Sequence, residues 1–426
     1  MVIVSFAVDR DSLPESSKQF RTGQTARRKQ LLGGPGPGKR PPQPESTMPH
    51  YFGQADRRAD GHADFRHGSP VASGVLLVNL GTPEAPTPRA VRRYLAEFLW
   101  DPRIVEAPRW LWWLALHGVI LRVRPPRSAR LYQKIWTPQG SPLLTGTAAL
   151  ADGLQTALKR QRPGPVLVRH AMRYGKPSIP LVLREFAEAG VRRLLVLPLF
   201  PQYSGTTTAS ALDAVGAELA RWRWVPELRF VADYHAEPRY VEALARSVES
   251  YWQSHGRAER LVLSFHGIPQ RYFRAGDPYF CQCQATARAL RERLDLGEDE
   301  ITVCFQSRVG REAWLGPYTD EVLKALPRQG IGHVQVLCPG FAIDCLETLE
   351  EIALTNRDRF FAAGGERFEY IPALNASEDH IAALSELILR HGQGWPEFDP
   401  GWDGARAAAQ RATSRSRHER LRDGTR

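Results

Sequence analysis

Short apolar runs and longer amphipathic stretches alternate along most of the chain. The runs have five to seven residues rich in Val, Leu and Ile, which is typical of strands covered on both faces. The stretches between them are long enough for helices and carry apolar residues at helical spacing. This alternation predicts an α/β architecture with parallel sheets. The predicted strands are 74–80, 165–171, 193–199, 228–232, 260–265, 301–306 and 333–338.

Three sequence anchors occur twice, in the same order. An internal repeat of this kind predicts two similar α/β lobes, assigned here to 71–240 and 241–401. Ligands of open α/β sheets bind outside the carboxyl ends of the strands, so facing lobes predict a central cleft. The paired anchors are VLLVNLGTP (75–83) with LVLSFHGIP (261–269), RHAMRYG (169–175) with CFQSRVG (304–310), and RLLVLPLFPQ (194–202) with HVQVLCPGFA (333–342).

The first lobe carries about 50 extra residues between its first two anchors, here called the Trp-rich insert (residues 85–140). Residues 98–124 hold four of the eleven tryptophans. The apolar stretch 110–121 is shorter than the roughly 20 residues of a membrane span, and arginines flank it. Two interpretations stay open. The stretch is either a helix at a membrane interface or against a large apolar ligand, or a helix packed on its own lobe.

The two ends of the chain differ from the core in composition. Residues 1–70 include GGPGPGKRPPQPES (33–46) and lack periodic apolar positions, so we expect disorder there, with Met48 as an alternative start. Residues 402–426 are rich in Arg and Ala, and we expect a basic disordered tail or a frayed helix. These two segments contribute most of the net charge of +11, whereas the core has 39 basic and 36 acidic residues. A basic face for nucleic acid is therefore not predicted.

The location of the protein is predicted from three features. No apolar run approaches the length of a membrane span, so an integral membrane protein is not expected. No apolar signal-peptide core precedes a small-residue cleavage site. The five cysteines are odd in number, which favours a reducing compartment over a disulfide framework. The sequence predicts a cytoplasmic protein, with contact to the inner membrane at most peripheral.

His266 ends the predicted strand 260–265 and is followed by Gly267 and Pro269. A histidine at the carboxyl end of a strand, on a rigid turn, faces the expected cleft. The corresponding position in the first lobe is Leu80, so the repeats differ chemically here. We therefore interpret His266 as a candidate acid–base or metal-binding group, against the ordinary alternative of a structural histidine.

A second candidate is an acidic cluster after strand 333–338. Asp344, Glu347 and Glu351 have the spacing of one helical face, with Glu350 beside them. An acidic first helical turn would explain one or two of these carboxylates, but not four within eight residues. Carboxylate oxygens suit a hard or borderline divalent cation, and an opposing neutral imidazole suits Fe(II).

Three weaker signals complete the candidate chemistry. Cys281 and Cys283 form a C-x-C pair whose spacing is unusual for zinc and which no second pair follows. Residues 203–208 are either an anion-binding loop or a helix N-cap, and the N-cap is the simpler interpretation. Arg173 and Tyr174 lie at a strand exit, where a fixed arginine can hold a carboxylate.

The motifs LVNLGTPEAP, LPLFPQYSGTTT, LSFHGIPQRY, FQSRVGREAWLGPYTDE and CPGFAIDCLETLEEI resemble those of ferrochelatases, particularly the proteobacterial ones, over about 74–392. The resemblance implies two Rossmann-like lobes around a porphyrin cleft, without a nucleotide. It implies a lyase that inserts Fe(II) into protoporphyrin IX and releases two protons, which is the last step of haem biosynthesis. The Trp-rich insert matches the family's hydrophobic lip, implicated in substrate entry near membranes.

The resemblance also implies roles for individual residues. His266 would face the porphyrin nitrogens and Glu347 would lie across the macrocycle, both as catalytic and metal-contacting groups. Asp344 and Glu351 would continue a metal or proton track away from Glu347. The implied porphyrin contacts are Leu80, Arg124, Tyr132, Ser141, Arg173, Tyr174, Trp314 and Phe341.

The chain departs from animal ferrochelatases at its cysteines, and other functions of the same fold compete with the one implied. Cys345 stands where animal members have a histidine, and no cysteine follows it, so we expect no [2Fe–2S] cluster and no prosthetic group. Porphyrin and ferrous iron would be substrates. A coproporphyrin ferrochelatase and a cobalt chelatase are the enzymatic alternatives. A haem or porphyrin carrier is the non-enzymatic one.

Overall fold

The computed structural model describes residues 69–422 and contains two four-stranded parallel sheets. The first sheet has the strand order β2-β1-β3-β4, and the second has the order β6-β5-β7-β8. The strands are β1 (Ala72–Gly81), β2 (Val166–Tyr174), β3 (Val191–Pro198), β4 (Glu227–Phe230), β5 (Arg260–His266), β6 (Ile301–Gln306), β7 (His333–Leu337) and β8 (Arg367–Ile371).

The two sheets repeat the same topology, with β1 and β5 in corresponding positions and parallel to both of their neighbours. This confirms the predicted α/β fold with two similar lobes. All seven predicted strands are present, and β8 was missed. Its sequence RFEYI has one exposed, two intermediate and two buried positions, and it lacks a continuous apolar run.

The helices connect consecutive strands, as crossovers between parallel strands require. In the described part of the chain, three segments adopt the wider π-helical geometry: π1 (Leu116–Ile120), π2 (Gly205–Ala209) and π3 (Glu347–Asn356). The α-helices are α1 (Pro88–Trp100), α2 (Arg109–Ala115), α3 (Leu121–Ile135), α4 (Pro142–Gln161), α5 (Ile179–Glu188), α6 (Ser210–Leu219), α7 (Pro238–His255), α8 (Gln270–Arg274), α9 (Tyr279–Arg293), α10 (Thr319–Ala325), α11 (Arg357–Ala362), α12 (Glu378–His391) and α13 (Gly404–Arg422). Short 3₁₀ turns lie at Pro327–Gln329 and Pro396–Phe398.

A single cluster of buried side chains extends across both sheets. It includes Val75 and Leu77 of β1 and Leu263 and Phe265 of β5, which lie on the inner faces of their sheets. Helices α4 and α7 pack against α12 within this layer. Separate clusters cover the outer face of each sheet. The shared core fixes the two lobes relative to each other, and with them the cleft at their strand ends.

The ends of the described region refine the expected organisation. The boundary expected at residue 240 falls in the first turn of α7, which packs on α9 and α12 of the second half. The tail expected to be disordered forms α13 instead, in agreement with the alternative of a helix there. Its Ala and Arg residues are strong helix formers, which explains the difference. Residues 1–68, including Met48, lie outside the described residues.

The Trp-rich insert folds as α1, α2, π1 and α3 around its own apolar cluster, which Leu346 of the second lobe completes. Trp112 packs on this cluster, and its indole Nε1 donates a hydrogen bond to Leu99 O at 2.7 Å. In contrast, Trp110 is 68% exposed and Trp113 is 50% exposed. One face of the segment thus packs on its own lobe, as one of the two interpretations expected, whereas the opposite face is exposed. Within residues 69–422, no helix is long and apolar enough to cross a membrane.

Candidate active site

A cavity with about 780 Å³ of empty space, including its mouth to solvent, lies at the carboxyl ends of the inner strands of both sheets. Residues at or just after the ends of β1, β3, β5 and β7 all contribute to it, as the open α/β topology predicts. The lining residues are Asn79, Leu80, Gly81, Thr82, Tyr132, Ser141, Leu143, Leu199, Phe200, Gln202, Ser204, Thr206, Thr207, His266, Ile268, Tyr279, Gly340, Phe341, Ala342, Ile343, Cys345, Leu346 and Glu347.

Gly81 shapes the first wall of this cavity. It ends β1 with a φ of +112°, a conformation that favours glycine. A Cβ at this position would lie 1.8 Å from the carbonyl oxygen of Tyr174, so no larger residue fits without moving β2. The chain can therefore turn away from the sheet here, and Leu80 and Thr82 face the cavity on either side of the turn.

His266 is the last residue of β5 and is only 7% exposed. Its Nδ1 lies 2.6 Å from the carbonyl oxygen of Gly267, and because a carbonyl only accepts, Nδ1 donates. In the neutral imidazole, Nε2 is then the basic nitrogen. The rings of Trp314 and Phe341 lie beside the imidazole, and the centroid of each is 6.4 Å from the centroid of the His266 ring. The arrangement fixes the tautomer and holds the ring against apolar walls.

Glu347 begins π3, is 6% exposed and lines the same cavity as His266. Its backbone carbonyl accepts a hydrogen bond from Gln306 Nε2 at 2.9 Å, which ties the start of π3 to the end of β6. Burial raises the pKa of the Tyr132 hydroxyl well above its usual value, and the negative charge of Glu347 adds to this shift. The structure thus brings an imidazole, a carboxylate and a buried aromatic wall to one cavity.

Glu351 lies one turn further along π3 and is bound by Ser307. The backbone N–H of Ser307 donates to Glu351 Oε1 at 2.8 Å, and the Ser307 hydroxyl donates to the other carboxylate oxygen. Burial raises the pKa of Glu351 to about 7, against the opposing effect of these hydrogen bonds. Its protonation state therefore changes near neutral pH, although it does not line the cavity.

Asp344 has a different environment from the glutamates. Its Oδ1 accepts hydrogen bonds from Tyr370 at 2.6 Å and from Thr348 at 2.9 Å, and Asn375 Nδ2 donates to Oδ2 at 2.8 Å. These contacts hold the loop before π3, and Asp344 does not line the cavity. The single acidic face expected from α-helical spacing does not form, because Asp344 precedes the helix and the helix has π geometry.

Comparison with known proteins identifies the family. A sequence model of ferrochelatases matches residues 72–392. The ferrochelatase of Thioalkalivibrio sulfidiphilus is 58% identical over 360 residues, covering 84% of this chain and 98% of that protein. The ferrochelatase of Marinobacter nauticus is 56% identical over 343 residues, covering 80% and 93%. The chain belongs to the ferrochelatase family.

Family membership confirms the predicted resemblance and activity class, a lyase that inserts iron into a porphyrin. Among solved structures, SirB from Bacillus subtilis with Fe3+ aligns at 12% identity with a TM-score of 0.46, covering 78% of this chain and all of SirB.

The porphyrin contacts expected from the ferrochelatase motifs divide into two groups. Leu80, Tyr132, Ser141 and Phe341 line the cavity. Trp314 contacts the His266 ring but does not line the cavity. Arg124, Arg173 and Tyr174 also lie outside the lining residues. Arg124 is buried, which lowers its pKa to about 10.

Arg173 and Tyr174 take part in a network around Asp101, the C-cap residue that follows α1. Asp101 Oδ2 accepts hydrogen bonds from Arg173 Nη2 at 2.6 Å, from Tyr174 at 2.7 Å and from Ser210 at 2.6 Å. These hydrogen bonds and the guanidinium lower the pKa of Asp101 despite its burial. In this structure the arginine therefore binds a carboxylate of the protein, at the junction between β2 and the Trp-rich insert.

Several cavity residues were missed or only partly recognised from the sequence. Ser204 is the N-cap of π2, accepting a hydrogen bond from Thr206 N, so the N-cap interpretation describes its backbone role. Ser204, Thr206 and Thr207 of this turn nevertheless line the cavity, and the run of Ser and Thr after β3 was the available signal. Asn79 and Gln202 also line it. Neither has a motif of its own, because each is placed only by the end of its strand.

Proposed function

We propose that the protein inserts Fe(II) into protoporphyrin IX to give protohaem, with His266 and Glu347 acting on the bound macrocycle. The observation that carries this proposal is that both side chains face one cavity between the lobes. Porphyrin and ferrous iron are substrates in this proposal.

The two protons released in the reaction indicate what His266 and Glu347 have to do. A free-base porphyrin carries two N–H protons, and Fe(II) replaces both to leave a neutral complex. His266 can accept a proton at Nε2, since Nδ1 is committed to Gly267 O. Glu347 supplies a carboxylate that can hold the incoming cation or accept the other proton. Glu351, with a pKa of about 7, can pass a proton on at neutral pH.

Protoporphyrin is preferred in this proposal because the cavity offers few groups for additional carboxylates. The residues that line it include no Lys or Arg. Ser141 lines the cavity, and because its hydroxyl accepts a hydrogen bond from Thr82 Oγ1, its own proton can be donated to a propionate of a dicarboxylate. A tetracarboxylate such as coproporphyrin would place two further charges against mostly apolar walls, which is costly.

We also propose that the protein is cytoplasmic and contacts the inner membrane peripherally through α2. Trp110, Leu114 and Val119 are each more than half exposed on the insert. An amphipathic segment with exposed tryptophans is typical of binding at a membrane surface. Iron enters as a substrate, and no prosthetic group and no nucleic acid partner are part of the proposal.

Anaerobic insertion assays with the full chain test the substrate assignment. Absorbance spectra are recorded with Fe(II) and either protoporphyrin IX or coproporphyrin III, with a protein-free control for spontaneous insertion. We expect kcat/KM to be at least about tenfold higher for protoporphyrin. Equal or faster turnover of coproporphyrin would overturn the substrate assignment. Binding of either porphyrin without any insertion would favour a carrier and overturn the catalytic proposal.

A further inference from the structure

Glu350 belongs to the acidic run of π3 but does not line the cavity. Its side chain is 6% exposed, and its Oε1 accepts hydrogen bonds from Lys134 Nζ at 2.8 Å and Thr355 Oγ1 at 3.1 Å. Lys134 lies on α3, in the insert of the first lobe, 216 residues away in sequence. The pair therefore joins the lobes beside the cavity.

The same two elements also make an apolar contact. Leu346 and Leu349, at the start of π3, pack into the cluster of the insert together with Tyr132 and Ile135 of α3. Charged and apolar contacts thus act between one short stretch of α3 and one turn of π3. Tyr132 lies two residues before Lys134 and lines the cavity. Glu347 lies three residues before Glu350 and lines it from the other lobe.

We propose that Lys134 is a positioning residue for metal insertion. Through Glu350, its ammonium group fixes π3 against α3 and so sets where the Glu347 carboxylate lies relative to the porphyrin wall formed by Tyr132. The inference goes beyond the proposed function but rests on the role proposed there for Glu347.

The two partners of this ion pair differ strongly in their exposure to water. Lys134 is half exposed, whereas the Glu350 carboxylate is almost fully removed from water. A buried carboxylate that loses its cation must turn toward solvent or draw water in, and either change moves the helix that carries it. Glu347 shares that helix. Small displacements of a reacting group reduce turnover strongly, while the apolar walls that bind the porphyrin stay in place.

The test measures zinc insertion and porphyrin binding separately. Lys134→Met keeps the apolar stem and removes the charge, Lys134→Arg keeps the charge, and Glu350→Gln keeps the shape of the acceptor. Lys324→Met is the matched control, because Lys324 is similarly exposed and pairs with Asp320 on α10. Insertion is followed by porphyrin fluorescence under steady-state conditions, and porphyrin Kd by titration without metal. Thermal unfolding is recorded for each variant.

We expect Lys134→Met to lower kcat about tenfold with porphyrin Kd changed less than about twofold. Lys134→Arg should retain most of kcat, and Lys324→Met all of it. The double variant Lys134→Met/Glu350→Gln should be no slower than the slower single variant, as coupling requires. If Lys134→Met only lowers Tm, if Lys134→Arg is as slow as Lys134→Met, or if the single losses multiply, the proposal is wrong.

If Lys134→Met fails to fold, the kcat of Glu350→Gln tests the proposal by itself. An unchanged kcat in that variant would contradict the proposal. Full activity of Glu347→Gln would remove the role of Glu347 itself. That failure belongs to the proposed function and is distinguishable, because it appears without any change at residue 134.

Discussion

Glu351 combines a raised pKa of about 7 with two hydrogen bonds from Ser307. Because burial disfavours its charged form, the folded protein holds this proton more tightly than the unfolded chain, whose glutamate pKa is near 4.5. The stabilisation from this group is complete below about pH 4.5 and is lost as the pH rises through about 7. The residue is therefore a local source of pH dependence.

Glu351→Gln should remove that dependence in metal-free protein. Between pH 5 and pH 8 the wild type should lose about 2 kcal/mol of unfolding free energy relative to the variant. Urea unfolding at several pH values, in the presence of a chelator, measures the difference. Glu366→Gln, at an exposed carboxyl, is the control and should follow the wild type. Parallel curves for wild type and Glu351→Gln would show that Glu351 does not titrate in this range.

Single residues also differ in how far their surroundings can be predicted from the sequence. The positions of His266 and Glu347 follow from strand ends, so the sequence could place them at one cleft. The partners of Asp344, Glu350 and Arg173 could not be predicted in this way. Each is held by residues from other elements, as Lys134 is 216 positions from Glu350. Hydrogen bonding between distant segments is a property of the packed structure and leaves no local pattern.

Among the elements, the hydrophobic pattern predicted the positions of strands well but did not predict the type of helix. The continuous apolar strands were all recognised, and of the strands between residues 69 and 422 only β8, with mixed exposure, was missed. The sequence of π3 gives no sign that its hydrogen bonds span five residues instead of four, so the predicted acidic face was wrong in detail. The insert was recognised from its tryptophans. The sequence does not show which of them packs inward, because Trp112 is held by a hydrogen bond to Leu99 O that forms only in the folded structure.

The exposed face of α2 predicts a specific membrane contact. Trp110→Ser should weaken sedimentation with anionic lipid vesicles about fivefold or more, because an exposed indole is lost from the apolar face. Trp224→Ser is the matched control, since Trp224 is 49% exposed but lies near α13, away from the cavity. Equal losses for the two variants, or no loss for Trp110→Ser, would contradict contact through α2.

The whole molecule is held together by more than the shared core. The chain after α12 returns to the first sheet, where Glu397 accepts hydrogen bonds from Ser73 and Arg193. Gly164, just before β2, approaches this segment closely, because a Cβ there would lie 2.2 Å from Glu397 O. Neither contact could be predicted from the sequence, because each joins segments that are far apart along the chain and no local pattern indicates which residues will meet.

Gly164→Ala should therefore destabilise the whole protein by about 1–3 kcal/mol, since backbone atoms must move to make room. Gly216→Ala is the matched control. It lies within α6 with nothing near its added Cβ, and it should stabilise the protein by about 0.5–1 kcal/mol. Denaturant unfolding of both variants provides the comparison. Equal effects at the two positions would mean that the contact between Gly164 and the C-terminal segment contributes nothing.

Paired measurement of porphyrin binding and zinc insertion in His266→Ala and Glu347→Gln tests the central claim most directly. If both side chains act on one bound macrocycle, each variant should bind protoporphyrin with a Kd within a few-fold of the wild type. Insertion should fall by about a hundredfold or more for each. A folded variant of either kind that inserts zinc at the wild-type rate would contradict the account.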